Sequence, residues 1–302
     1  MTISRTDLSE ANGYILEEQG STVIQDLLAN SAVERYARRE AMASRTKSVP
    51  RFVGDAPVVV AEGAEIPASS PTLDEIVLTA RKYAQLMHIS EEDVNDQLVD
   101  TLSVYKREWA SQWARKFDNA CLGVHAAADG DDGQPFTSLY RAVSPGSAGT
   151  NLIQTGGALS FDDINNALGI VEDSSKFDAA NTVWMAHPKM LKEIRGMVKP
   201  NSDLVLPDPI AGTPGSLFGY PLVISYGAAK TAAATATPAA NDNPLLIVGN
   251  RQMLINGVRG GVESVVSRDA EFARDGVVLK TRVRRGFAVA DADAFAIVEK
   301  TA

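Results

Sequence analysis

The feature that most restricts this chain is an apolar stripe that runs from Val94 to Cys121 with no glycine or proline to interrupt it. Val94, Leu98, Leu102, Tyr105, Trp109, Trp113, Phe117 and Cys121 recur at steps of three or four, the spacing that puts side chains on one face of an α-helix. Ser90 supplies an N-cap. Glu91, Glu92 and Asp93 follow, placing acids in the first turn, where they complement the helix dipole. The helix is expected over 90–122, roughly 45 to 50 Å at 1.5 Å per residue. Such a rod fixes a span along which the rest must pack. Trp109 and Trp113 fall on the stripe and read as core residues rather than as a stacking platform.

Before that helix, residues 21–45 carry Val23, Leu27, Leu28, Ala32 and Tyr36 at helical spacing and then turn basic through Arg35, Arg38, Arg39, Arg45, Lys47 and Arg51. A partly helical arm is expected, either solvated or laid against another molecule. Pro50, Pro57, Pro67 and Pro71 then punctuate a stretch in which Val58, Val59 and Val60 are flanked by Glu62, Gly63 and Glu65. Prolines exclude it from a sheet interior and predict a projecting hairpin or an edge. From Asp74 to Ile89 the pattern is that of a strand, with Ile76, Leu78, Ala80, Ala84 and Leu86 on one face.

After the helix, residues 129–158 are rich in Gly, Asp, Ser and Pro and are expected to be loop. A second lobe is expected from Leu159: a helix over 160–172, a strand over 182–186, a helix over 187–198 opened by Pro188, and a buried strand over 222–224. Residues 228–243 are low in complexity and read as exposed loop. Strands are expected over 244–249, 252–257 and 262–267, then through the alternation of Val277, Leu279, Thr281 and Val283, resuming over 287–298.

Little in the sequence speaks for catalysis. With 302 residues, 45% apolar and 22% charged, the composition is that of a soluble globular protein with a sizeable core. Cys121 is the single cysteine, so neither an intrachain disulfide nor a cysteine-based zinc site can form, and a reducing compartment fits. The N-terminal residues do not follow the pattern of a secretory signal, and no run approaches the ~18 apolar residues of a membrane span. A net charge of −9 argues against gripping phosphate backbones. Phosphate-binding loops, nucleophile elbows and zinc-protease helices are not found. His88, His125 and His187 have no neighbours at ligand spacing, and Asp129–Asp132 lacks the spaced carboxylates of a calcium loop. No cofactor or metal is implied. Arg282, Arg284 and Arg285 form a small basic patch that suits inter-subunit ion pairs at least as well as nucleic acid.

The order of these elements, and six short stretches within it, resemble the major capsid proteins of tailed bacteriophages, which have the Hong Kong 97 phage capsid fold. VVVAEGAEIPASSPTL is similar to that family's E-loop, ISEEDVNDQLVDTL to the start of its spine helix and FDNACLG to the end of it. SLFGYPLVIS and LLIVGNRQMLI resemble two strands of its A-domain, and VSRDAEFARDGVVLKTRVRRGFAV its closing P-domain strands. Each stretch is weak alone, but six in order over most of the chain are specific. The implied fold is α+β: an N-terminal arm (1–49), an E-loop hairpin (50–75), a P-domain of long spine helix and antiparallel sheet (76–158), an inserted α/β A-domain (159–260) and returning P-domain strands (261–302).

The resemblance implies a shell subunit rather than an enzyme. It implies pentamers and hexamers of this chain, closing into an icosahedral head that encloses double-stranded DNA without reading its sequence. The implied location is the virion, after assembly in the cytoplasm of a bacterial host. A portal and a decoration protein are further expected partners. About 50 residues precede the E-loop, too few for a fused scaffolding domain, so a separate scaffold protein or an already trimmed chain is expected, the initiating Met1 favouring the former. Encapsulin shells share the fold and are the nearest alternative; a cytoplasmic α/β hydrolase or transferase built on 159–260 is an alternative of another class. The expected inter-subunit contacts are Glu62, Glu65 and Ile66 on the E-loop and Arg282, Arg284 and Arg285 on the P-domain. Some members of the family link an E-loop lysine to a P-domain asparagine with help from a glutamate. Alignment on this chain puts Ile66, Asp275 and Arg282 at those three positions, so a noncovalent shell is expected.

Overall fold

The computed structural model describes residues 31–53, 57–63, 65, 66, 68, 72–90, 92, 101–144, 151–197, 215–271 and 275–301. The expected helix before Ser31, and residues 91 and 93–100 of the long helix, lie outside them, while Ser90, expected as its N-cap, ends a strand. The architecture is mixed α and β, in three sheets. Strand β10 (Asn243–Asn250) is central to the largest, flanked by β14 (Phe295–Lys300) and β6 (Thr182–Ala186). Beyond these lie β5 (Leu152–Thr155) on one side and β8 (Tyr220–Ile224) with β7 (Ser216–Leu217) on the other; β9 (Ala229–Lys230) adds to β10.

This seven-stranded sheet is covered on both faces, which explains its near-continuous apolar strands. Leu245, Ile247, Val183, Met185, Phe295 and Ile297 join one core cluster, while the alternating Leu246, Val248, Trp184, Ala186, Ala296 and Val298 join another. The second cluster lies under α4 (Phe161–Glu172) and α5 (Pro188–Gly196). Ile164, Ala167, Leu168 and Val171 form the buried stripe of α4, which Ser160 and Asp163 open with a reciprocal capping box. Pro188 stands at the first turn of α5 as expected, with His187 as its cap.

The first cluster is the interface between the two large sheets, and the long helix α2 (Thr101–Leu122) enters it at its C-terminal end through Phe117, Ala120, Cys121 and Leu122. Of the predicted stripe, Phe117 and Cys121 are fully buried and Trp109 nearly so, but Tyr105 is 37% exposed. Toward its N-terminal end the described helix therefore leaves the core. The helix comes close to the chain on the far side: a Cβ at Gly227 would stand 2.4 Å from the Asn119 nitrogen, and one at Gly123 only 1.9 Å from the Ala229 oxygen. Only glycine permits this approach.

The second sheet is built on the 14-residue β13 (Gly276–Val289), paired antiparallel with β11 (Leu254–Val258), β12 (Glu263–Glu271) and β4 (Arg81–Ser90). β1 (Arg38–Ala41), which follows α1 (Ala32–Tyr36), adds in parallel to β11. The third sheet is a hairpin of β2 (Thr46–Val53) and β3 (Thr72–Thr79). Pro50 sits within β2, tolerated because a two-stranded ribbon is all edge.

Several expectations are corrected. The strand expected over 74–89 is two strands that change partner at Ala80, where the Ala80 N–H is taken by the Arg45 carbonyl. The phase slips there, so Leu78 is buried but Leu86 is 53% exposed and Ile89 is buried instead. The basic stretch after Tyr36 is strand, not helix. Residues 129–158 contain α3 (Leu139–Val143) and β5, with Phe136, Leu139 and Tyr140 buried. Residues 228–231 are not exposed loop, for Ala228, Ala229 and Thr231 are buried beside the long helix. Nor do the sheets divide at residue 260. β11 precedes that point yet joins the β13 sheet, and β14 follows it yet joins the seven-stranded one, so the expected 159–260 and 261–302 segments interleave.

Candidate inter-subunit surfaces

Two buried carboxylates hold the body together, and sequence reasoning flagged neither. Asp118, on the long helix, accepts from the Ser31 hydroxyl, from the Ser225 hydroxyl at 2.7 Å, and from the Ala32 and Val33 N–H groups at 2.8 and 3.2 Å. It thereby ties the first turn of α1, the helix and the end of β8 at one point. Burial raises its pKa, and these hydrogen bonds offset the rise only in part. Glu299 of β14 accepts from Lys230 at 2.8 Å, Asn243 at 2.6 Å, Tyr140 at 2.8 Å and Gln154 at 2.9 Å. Burial alone would raise its pKa, but Lys230, Asn243, Gln154 and Tyr140 together bring it down to about 2. Their partners lie far off in sequence, so no local spacing announces either group.

His187, His125 and the acidic loop have partners within the chain. The His187 ring accepts from the Lys189 N–H at 3.2 Å, and burial lowers its pKa to about 4, keeping it a neutral cap. His125 meets the Thr231 carbonyl at 2.8 Å, and His88 lies on the exposed side of β4. Asp132 pairs with Lys116 at 2.6 Å. Burial pushes the Cys121 thiol well above its ordinary pKa, so it is unreactive. Among the described residues, no cluster of His, Cys, Asp and Glu is placed to hold a metal ion.

The hairpin is a different kind of surface. Its strands are pinned by Arg51 to Asp74 at 2.5 Å and Ser48 to Glu75 at 2.6 Å. Between them, Val58, Val59 and Ile66 are 67%, 99% and 80% exposed, and Glu62 and Glu65 are exposed as well. Large apolar side chains this exposed are clustered here rather than scattered singly over the surface.

The three arginines of β13 fall apart into different roles. Arg285 is 7% exposed; its guanidinium pairs with Glu34 and lies 5.7 Å from the centre of the Trp113 ring. It is a core cation and does not serve as a surface contact. Arg282 is bonded to Glu263 at 2.5 Å on the neighbouring strand. Arg284 is partly exposed and stands opposite Lys82 in the ladder, while Lys280 stands opposite Leu86 and Val265. Like charges facing across a ladder are unfavourable in the isolated chain. The β4–β13–β12 ribbon thus presents Lys82, Lys280 and Arg284 beside the exposed Leu86 and Val265, at 53% and 55%. The sequence showed the arginines, but only the register shows that Lys82 and Lys280 join them.

A family model, the phage capsid family, matches residues 12–300. The chain belongs to that family. Solved structures share its fold over its whole length: one from Microbacterium phage Oxtober96 (19% identity, TM-score 0.72, covering 100% of this chain and 99% of the other) and one from Mycobacterium phage Bobi (17%, 0.73, 100% of both). A third, the capsid of a native GTA particle computed with C5 symmetry, matches at 16% and 0.74, again with 100% of both chains covered. No curated protein sequence matches. Family and fold support the major capsid protein of a tailed phage, a component of the virion. Both are structural rather than enzymatic, and they imply self-assembly into shells. No described helix is long and apolar enough to cross a membrane.

Proposed function

We propose that this chain assembles as pentamers and hexamers into the icosahedral head that encloses the double-stranded DNA of a tailed phage. The observation that carries this reading is the family match over residues 12–300, joined to a hairpin whose apolar tip is exposed among the described residues. In this reading 1–49 act as the arm, the β2–β3 hairpin as the E-loop, and the β13 sheet with the long helix as the P-domain. The seven-stranded sheet with α4 and α5 acts as the A-domain. A separate scaffold protein, a portal and a decoration protein would complete the head, and assembly would take place in the host cytoplasm.

The hairpin tip of one copy would reach the β4–β13–β12 face of the next. Glu62 and Glu65 supply the anions for Arg284, Lys82 and Lys280, and Ile66, Val58 and Val59 the apolar surface for Leu86 and Val265. Arg282 contributes through its pair with Glu263. Contacts that are individually weak become stable together once later ones form within an assembly already begun. Negative-stain micrographs of the purified full chain test the reading: closed shells or capsomers are expected, and a monodisperse monomer under all assembly conditions would reject it.

A further inference from the structure

Beside the point where Asp118 gathers α1, the long helix and β8 lies a cleft of about 240 Å³ that none of the contacts above uses. Arg35, Tyr36, Arg115, Asp118, Ser225 and Tyr226 are among its walls. The two arginines are held alike. The Arg35 guanidinium lies 5.2 Å from the centre of the Tyr36 ring, and that of Arg115 lies 4.8 Å from the centre of the Tyr226 ring. Stacking of this sort fixes the plane of a guanidinium and leaves its edge of N–H donors free to bind.

Neither arginine meets a carboxylate among the described residues, although Arg38, Arg39, Arg51, Arg282 and Arg285 all do. The Nε–H of Arg115 is closed off without an acceptor, so the donors left for an incoming oxyanion are the terminal amino groups of the guanidinium. Asp118, though close, does not supply one: its oxygens are taken by two hydroxyls and two amides. The serine hydroxyls donate to Asp118, so they do not compete for an incoming anion's oxygens. The cleft therefore sets two guanidinium groups beside a space the size of a side chain.

We infer that the Arg35–Arg115 cleft receives a carboxylate side chain from a second copy of this chain, forming a forked ion pair between subunits. A protein carboxylate is favoured over a phosphate backbone because the chain is itself acidic, with 38 Asp and Glu against 29 Lys and Arg. A site walled by two tyrosines is also a side-chain slot rather than an open groove. The inference rests on the shell-subunit reading but is separate from the hairpin contact, which lies on other residues.

Assembly of purified full-length chain, free of nucleic acid, is the test. Arg115→Gln and Arg35→Gln should each raise the subunit concentration needed for half-assembly about tenfold, while the unassembled subunit melts as the wild type does. Arg115→Lys should recover only part of the loss, because an ammonium keeps the charge but not the fork. A photo-crosslinking residue at position 35 should join two chains in assembled particles, at a segment containing Asp or Glu. Arg35 is exposed, so its variant carries the test if Arg115→Gln does not fold. Unchanged assembly in both glutamine variants would overturn the inference, as would crosslinks confined to one chain, or a defect seen only when nucleic acid is added. If the wild type forms no particles at all, the shell reading itself fails instead.

Discussion

The C-terminal half of the long helix and the tip of the β2–β3 hairpin meet opposite demands. Around Phe117 everything is closed: the ring is fully buried, stacked on Trp113 with centroids 5.3 Å apart, and met edge-on by Tyr83 and Phe136 at 6.2 Å. Polar groups nearby, Asp118 and Asn119, have their partners inside the chain. At the hairpin tip Val59 is 99% exposed and no core cluster includes Val58, Val59 or Ile66. The apolar core around Phe117 is finished by the protomer alone, whereas the hairpin tip is left uncovered by the described residues. Changes to that apolar core should therefore be read in the stability of a single subunit, and changes at the hairpin tip in assembly.

The largest effect should come from the closed region. Phe117→Ala is expected to cost about 3–5 kcal/mol, and Trp113→Ala, which is only partly buried, about 3 kcal/mol. Both should be visible in denaturant unfolding of the unassembled subunit. Soluble Phe117→Ala protein with unchanged unfolding would show that the helix does not anchor the two sheets.

Next is Glu299. Its pKa of about 2, against an ordinary value of 4.5, is a depressed carboxylate pKa. The stability it contributes is therefore fully present above pH ~4.5 and is lost as pH falls from there toward ~2. The difference corresponds to on the order of 3 kcal/mol. Glu299→Gln should be destabilised by about that much at pH 7, and the gap from wild type should close near pH 2–3. A gap that does not narrow with pH would mean that packing, not charge, fixes this site.

Smaller still for the subunit, but not for the particle, is reversal of the hairpin charges. Glu62→Lys with Glu65→Lys should leave the melting of the lone subunit where it was. A loss of ~1.4 kcal/mol per subunit at the interface would lower an association constant tenfold, and exposed pairs are weak singly. Normal particle yield in low salt would count against the hairpin-to-ribbon contact, and a lowered subunit melting temperature would break the contrast between the two regions.

The closed region was also the more legible. The strand over 243–250 announces itself because a sheet covered on both faces needs apolar residues at successive positions, whereas the run expected over 287–298 is broken after Val289 and resumes in the other sheet as Phe295–Lys300. The capped helices announce themselves through Ser160 and Pro188. What stayed hidden depends on contacts distant in sequence. The change of phase at Ala80 follows from exchanging β2 for β13 as partner. The burial of Ala228 and Ala229 follows from Asn119, which donates to Gly227 and Ala229 carbonyls at 3.0 Å each. Arg285 looked like Arg282 and Arg284 because alternation in one strand does not reveal that Glu34 and Trp113 wait above it. In the candidate surface, Glu62 and Glu65 were named from the Pro-flanked pattern and Ile66 from the family resemblance, and all three are exposed, whereas Lys82 and Lys280 required the register.

The last expectation is an effect of zero, and it asks whether the open region is ever closed by a covalent bond. In the resemblance drawn from the sequence, a lysine on the hairpin would attack an asparagine on the sheet while a glutamate takes up a proton. Here the hairpin position is Ile66, 80% exposed and with no nucleophile, and no lysine lies between Lys47 and Lys82. The sheet position is Asp275, exposed at a turn with φ of 52°. A carboxylate is a poor electrophile toward an amine. The third position is Arg282, which stays protonated and is already bonded to Glu263, so it cannot act as a base. Each of the three parts fails for its own chemical reason, so restoring one of them should not restore the link. Purified particles boiled in detergent with reductant are expected to run as a single band near the 32.2 kDa of the chain. Particles of the Ile66→Lys variant should do the same, because Asp275 and Arg282 remain. A ladder of higher bands from wild-type particles would mean that the hairpin is sealed by chemistry not among these residues. The contrast between a self-sufficient body and a hairpin completed by noncovalent contact would then have to be redrawn.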